Sequence, residues 1–287
     1  MNELLYSMKK GDEMQTIVYS GIFAGLMAIF VTVAIEKWGG VKGGILGTLP
    51  ITIVPAAIGI YAVDPFSFSK SMLVVPLGML LNGATLCIWV ILPPYLPKTG
   101  KLWITLATSL LFWLVAGVLV IQFEPNYASA LVSMVILISL SIIVCFSLKA
   151  APRGRNKVRI PVLLSRGSAA GLAIGFAVWF GSQGHPELAG LASVFPAIFL
   201  TTMVSLWISQ GETVPRGAAA PMMLGASSVS FFAIGCMILF PRVGVYTGCL
   251  IAWILSVVLW SLPMGMWLHR RINHSKFASN GEVLAHR

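Results

Sequence analysis

Nine stretches of twenty or more mostly apolar residues, joined by short connections, constrain this chain more than any other feature. They cover 16–35, 43–63, 71–92, 102–122, 127–148, 161–181, 187–208, 218–240 and 243–268, bounded by charge, proline or glycine. About twenty apolar residues cross the hydrocarbon of a bilayer as a helix, so each stretch is long enough to span. Barrel strands would alternate apolar and polar side chains over about ten residues, and these runs do not alternate. Charged residues make up 10% of the 287, against about a quarter in soluble domains, which excludes a soluble enzyme. The sequence predicts an all-α polytopic membrane protein with about nine transmembrane helices.

The net charge of +10 is spread between the apolar runs rather than gathered on one face, so it points to membrane topology and not to nucleic acid. With the N-terminus outside, 15 of the 19 Lys and Arg residues fall on the inner side and 4 on the outer side, predicting N-out and C-in. Residues 1–15 then form an extracytoplasmic segment before an uncleaved first span, 149–160 a basic cytoplasmic loop and 269–287 a cytoplasmic tail. Cys87, Cys145, Cys236 and Cys249 lie singly inside apolar runs, so neither disulfides nor a metal site is expected, and no cofactor.

The chain matches itself at an offset of 146. Gly21, Ala24, Gly25 and Leu26 fall on Gly167, Ala170, Gly171 and Leu172, Phe30 falls on Phe176, Gly44 on Gly190 and Pro50 on Pro196. Asn82 and Ser227 correspond at 145, as do Pro76 and Pro221. Five crossings separate the partners, so the halves 16–122 and 161–268 are expected to be inverted four-helix repeats joined by a linker helix, 127–148. Secondary transporters use this plan, with the site near the midplane between repeats. Fused dual-topology channels share it.

Within each half, the segments from Gly39 to Thr52 and from Glu187 to Phe199 place glycine before proline in the second helix. In this they resemble GlpM-like inner-membrane proteins, short four-helix bacterial chains. The resemblance implies a bacterial inner membrane and supplies no substrate.

A proline inside a helix removes a hydrogen bond and frees a carbonyl one turn back, and in hydrocarbon that group must find another partner. Broken helices in matching positions of two halves point to a binding site. The expected centre is therefore Thr48, Pro50 and Thr52 in one half and Ser193, Pro196 and Thr201 in the other, with Asn82 and Ser227 completing it. The alternative is a pair of kinked packing helices whose polar residues only bond their neighbours. Glu36 at one mouth, and His185 with Glu187 at the other, are gate candidates. The GxxxG series at Gly21/Gly25 and Gly167/Gly171/Gly175 is assigned to helix packing, and Trp38, Trp103, Trp113, Trp260 and Trp267 to interfacial anchoring.

Deep carboxylates are absent, which disfavours a proton-coupled antiporter, and no cluster with triad or ligand spacing suggests an enzyme. The expected function is a carrier or permease for a small solute or ion in contact with the lipid bilayer. A channel and a non-transporting accessory or lipid-handling protein remain as alternatives, and homo-oligomerisation is left open.

Overall fold

A computed structural model describes residues 2–38, 49–147, 160–268 and 270–271, and the regular elements among them are helical. In chain order these are α1 (Asn2–Trp38), α2 (Val54–Val63), α3 (Phe68–Ile91), α4 (Lys101–Gln122), α5 (Tyr127–Ser147), α6 (Ile160–Ser182), α7 (Pro186–Ser193), α8 (Ala197–Gln210), α9 (Thr213–Val243) and α10 (Val245–Ser256). A π-helical turn, Val257–Ser261, carries α10 onward to Leu268. Taking α7 and α8 as one span, eight segments are long and apolar enough to cross a membrane. The chain is therefore an all-α polytopic membrane protein.

Helix bounds depart most from the apolar runs in the first two spans. The first helix begins at Asn2 rather than at 16, because Lys, Glu and Met are good helix formers and the lone Gly11 does not stop propagation. Within the second expected span, 43–63, the described helix is the ten residues of α2, after a turn at 49–53. Residues 39–48, and with them Thr48, lie outside the described residues.

Neighbouring helices reverse direction. Ser20 sits against Gly59, and Asp12, Glu13 and Thr16 share a small cleft with Ala62 and Val63, so α2 ends beside the start of the first span. Tyr61 meets Phe68 edge-on at 5.2 Å, and Phe68 stacks on Phe240 at 4.9 Å, which places the start of α3 and the end of α9 at that same end. At the opposite end Phe146 meets Trp267 at 6.2 Å, and the Arg271 guanidinium lies 3.8 Å over the Phe146 ring. Asp12 and Leu268 thus lie at opposite ends of the bundle, and the path between them crosses it an odd number of times.

Helices α3 and α9 form the centre and pack along each other. Phe68, Met72, Leu86 and Trp89 of α3 and Met223, Phe232, Cys236 and Phe240 of α9 are fully buried or nearly so. Helices α4, α5 and α10 lie outside them and expose Leu111, Val115, Val132, Val135, Leu250 and Ile254. Exposed apolar faces of this extent on every outer helix suit hydrocarbon as the surrounding solvent.

α1 and α6 cross through bare backbone. A Cβ on Gly21 would stand 2.9 Å from the Gly171 carbonyl oxygen, and one on Gly25 2.9 Å from that of Gly167. Only glycine permits this approach, so Gly21/Gly25 and Gly167/Gly171 form a packing seam as expected, whereas a Cβ on Gly175 would meet nothing. On its outer side the seam floors a groove of about 810 Å³, walled by Ile22, Leu26, Leu172, Phe176 and Trp179.

Candidate functional site

The sharpest irregularity in the bundle is the break between α7 and α8. α7 ends at Ser193, Val194 and Phe195 turn, and Pro196 caps α8 without an N–H to offer. α7 can lie directly on α3 because Gly190 rests on the Ser71 backbone carbonyl and Gly78 leaves room for the Val194 side chain. The break frees carbonyls in the apolar interior, where each needs a partner.

Asn82 supplies one. Its Nδ2 donates to the Val194 carbonyl at 2.8 Å, and its Oδ1 accepts from Trp113 Nε1 at 2.8 Å. Trp113 also meets Phe195 edge-on at 5.1 Å. One amide thus joins three elements, α3, α4 and the α7–α8 break, with 2% of its surface exposed.

Buried polar groups on α3, α4 and α9 have no protein partner. Thr85 Oγ1, Trp89 Nε1 and Ser109 Oγ are buried and unbonded, as are Ser227 Oγ and Ser230 Oγ on α9. An unsatisfied buried hydroxyl costs about 1–3 kcal/mol. The contrast with other buried hydroxyls is sharp: Thr32, Thr105, Ser133, Ser141, Ser193 and Ser256 each donate to a carbonyl three or four residues earlier. Asn82, Thr85 and Trp89 share one face of α3, spaced at i, i+3 and i+7. Ser109 lies one turn before Trp113 on the inward stripe of α4, which also holds Thr105 and Gly117. Because α3 and α4 are antiparallel, Ser109 comes level with Thr85.

The sequence-predicted residues divide into groups. Asn82, Ser193 and Pro196 come together at the break. Thr201 is half-buried and closes on its own helix, donating to the Ala197 carbonyl at 2.7 Å. Ser227 is fully buried on α9, the helix that packs against α3. Pro50 is buried in the turn before α2 and Thr52 is half-buried. The two breaks border one hydrophobic cluster, through Ile53 and Val194, and no contact between Pro50 and Pro196 is described.

At the mouths the pairing differs from expectation. His185 is exposed and makes no side-chain cap, whereas Glu187 pairs with Lys70 of α3 at 2.5 Å. A second pair, Lys101–Glu212 at 3.1 Å, closes the opposite end between the starts of α4 and α9. The side chain of Glu36 is outside the described ones.

Two tryptophans assigned to interfacial anchoring bond to a neighbouring helix, Trp113 from the interior and Trp260 from a half-buried position. Trp113 is 4% exposed and bonds Asn82, and Trp260 donates to the Leu224 carbonyl of α9 at 3.0 Å. The signal that marks them in the sequence is a repeated Ser-x-x-x-Trp, Ser109/Trp113 and Ser256/Trp260, at an offset of 147. Thr85 and Ser230 likewise match at 145, beside Asn82 and Ser227. Among the described residues no group of three or more His, Cys, Asp or Glu side chains could hold a metal. The chain matches no protein-family model, no curated protein and no solved structure.

Proposed function

We propose that this protein is a transporter, a carrier or permease for a small solute or ion, with its path along the seam between α3, α4 and the broken α7–α8. The carrying observation is the Asn82 bridge from Trp113 to the Val194 carbonyl, set among three buried unbonded donors. Polar groups of this kind at membrane depth are costly unless they serve a partner. The ion pairs Lys70–Glu187 and Lys101–Glu212 stand at the two ends of this seam and serve as its gates.

The inverted repeat is part of the proposal. Its support is an exchange of contacts: Gly21 meets Gly171 while Gly25 meets Gly167, and the 146 offset converts one pair into the other. A two-fold axis between α1 and α6 produces such reciprocal pairs. The tryptophan bonds point the same way, each running from the fourth helix of a half to its third. The N-out orientation rests on the Lys and Arg distribution, and placement in a bacterial inner membrane on the GlpM-like resemblance of each half.

Flux into vesicles containing the purified protein tests the reading. The expected result is saturable uptake of a small solute or ion above that of protein-free vesicles. A second reading, lipid handling, draws on the apolar 810 Å³ groove over the α1–α6 seam. Vesicles that stay tight to every solute while labelled lipids exchange between leaflets would favour it over transport.

A further inference from the structure

The unbonded groups along the seam have a polarity, and it distinguishes the ions that could pass. Trp89 Nε1 is a donor only, buried with the ring edge-on to Trp207 at 5.9 Å. Thr85 and Ser109 add two hydroxyls that can donate, at 1% and 0% exposure. The Asn82 amide is already engaged, its Nδ2 with the Val194 carbonyl and more weakly with the Met79 sulfur at 3.6 Å, and Trp113 has spent its own N–H. One residue beyond Trp89, Arg216 of α9 donates through Nε to the Val90 carbonyl at 3.1 Å, and both described ion pairs use other partners.

Carboxylates are missing from the donor row itself, and Glu212, one turn before Arg216 at the N-cap of α9, is paired with Lys101. The described Asp and Glu residues lie at 3, 12, 13, 36, 64, 124, 187 and 212, and none falls within α3, α4 or α8. A cation here would face an indole N–H and a guanidinium with only hydroxyl lone pairs to replace its water. An anion would accept from every one of the groups. Along α3 the donors are also serial, with Thr85 about 4.5 Å and Trp89 about 10.5 Å of helix rise beyond Asn82. A row of donors leading from a fixed positive charge is how anion-selective paths are built.

We propose that the species moved along this seam is a small inorganic or carboxylate anion, which enters past Arg216 and is held by Trp89, Thr85 and Ser109. This rests on the transport reading above and narrows it to a substrate class.

The test uses the full chain in vesicles of neutral lipid loaded with the potassium salt of chloride, nitrate, acetate or phosphate. Valinomycin starts the flux, and sodium and glycerol are measured in parallel. The expected result is flux of at least one of the four anions, lowered about ten-fold or more in Trp89→Phe, which keeps an aromatic ring against Trp207 and deletes the donor. Melting in detergent is the folding control: the permeant anion should raise the wild-type melting temperature, while Trp89→Phe should still melt in one cooperative transition and gain less with the anion. Sodium or glycerol flux with none of the four anions moving would overturn the anion assignment and leave the transport reading standing. Anion flux unchanged in Trp89→Phe would overturn the assignment to this seam. Vesicles tight to every probe would overturn the anion assignment.

Discussion

Asn82 bonds outward on both sides, so its removal should cost stability in a way that Trp113 shares. Asn82→Leu leaves the Val194 carbonyl and the Trp113 indole N–H unpartnered, each having lost a 2.8 Å bond. Interhelical hydrogen bonds in lipid average about 0.6 kcal/mol and reach about 1.7, so the two together are worth about 1–3.5 kcal/mol. Trp113→Phe deletes only the donor, and its ring can still pack against Phe195. Because the two substitutions remove one shared bond, their effects should fall short of additivity by about 0.6–1.7 kcal/mol. Reversible unfolding of the wild type, both single variants and the double variant in detergent measures this coupling. Additivity within about 0.3 kcal/mol would refute the bridge.

At the α1–α6 seam, Gly171→Val should destabilise by about 1–3 kcal/mol or more in thermal melts, since the new Cβ would stand 2.8 Å from the Gly21 carbonyl oxygen. Gly175→Val, with no atom within 4 Å of its Cβ, should stay within about 0.5 kcal/mol. Glu187→Gln should change stability by less than about 1 kcal/mol, because Lys70 is 52% exposed and exposed pairs contribute little. If the pair gates the seam, the same variant should nonetheless alter flux kinetics, and unchanged kinetics would remove it as a gate. Single cysteines at Phe66 and Tyr95, which are 99% and 81% exposed at opposite ends of α3, should react with an impermeant reagent from opposite sides of sealed vesicles. Labelling of both from one side would contradict the crossing of α3.

Spans 3 to 6 are legible in the sequence because their ends coincide with local signals: Pro93 and Pro94 after α3, Gly100 before α4, the Glu124–Pro125 turn before α5, and Pro161 in the first turn of α6. The break at 194–196 is legible through Pro196 alone, since a missing N–H acts locally. How the break is satisfied is not. Sequence reasoning places Asn82 on the lining of a site, but its described bonds make it a brace, and Val194 lies 112 residues away. The same reasoning sets Glu187 beside its neighbour His185, whereas its partner Lys70 is remote in sequence and adjacent only after α7 docks on α3. Thr201 reads as a site residue because it is a hydroxyl at depth, and nothing local distinguishes that from a bond to its own helix. Interfacial anchoring is a residue-type average for tryptophan, and it fails for Trp113, which stands near the middle of its helix.

Access to Thr85 tests transport along the α3–α4–α8 seam most directly, without knowledge of the substrate. Thr85→Cys would be made in a chain whose four native cysteines are replaced by alanine, reconstituted in sealed vesicles and exposed to a small impermeant thiol reagent from each side in turn. A transport path should make this buried position, 1% exposed in this structure, react from both sides, and more slowly in the presence of the permeant anion. Absence of reaction from either side, under conditions where Phe66→Cys labels fully, would contradict a path through the seam and leave Asn82 and its neighbours as packing alone.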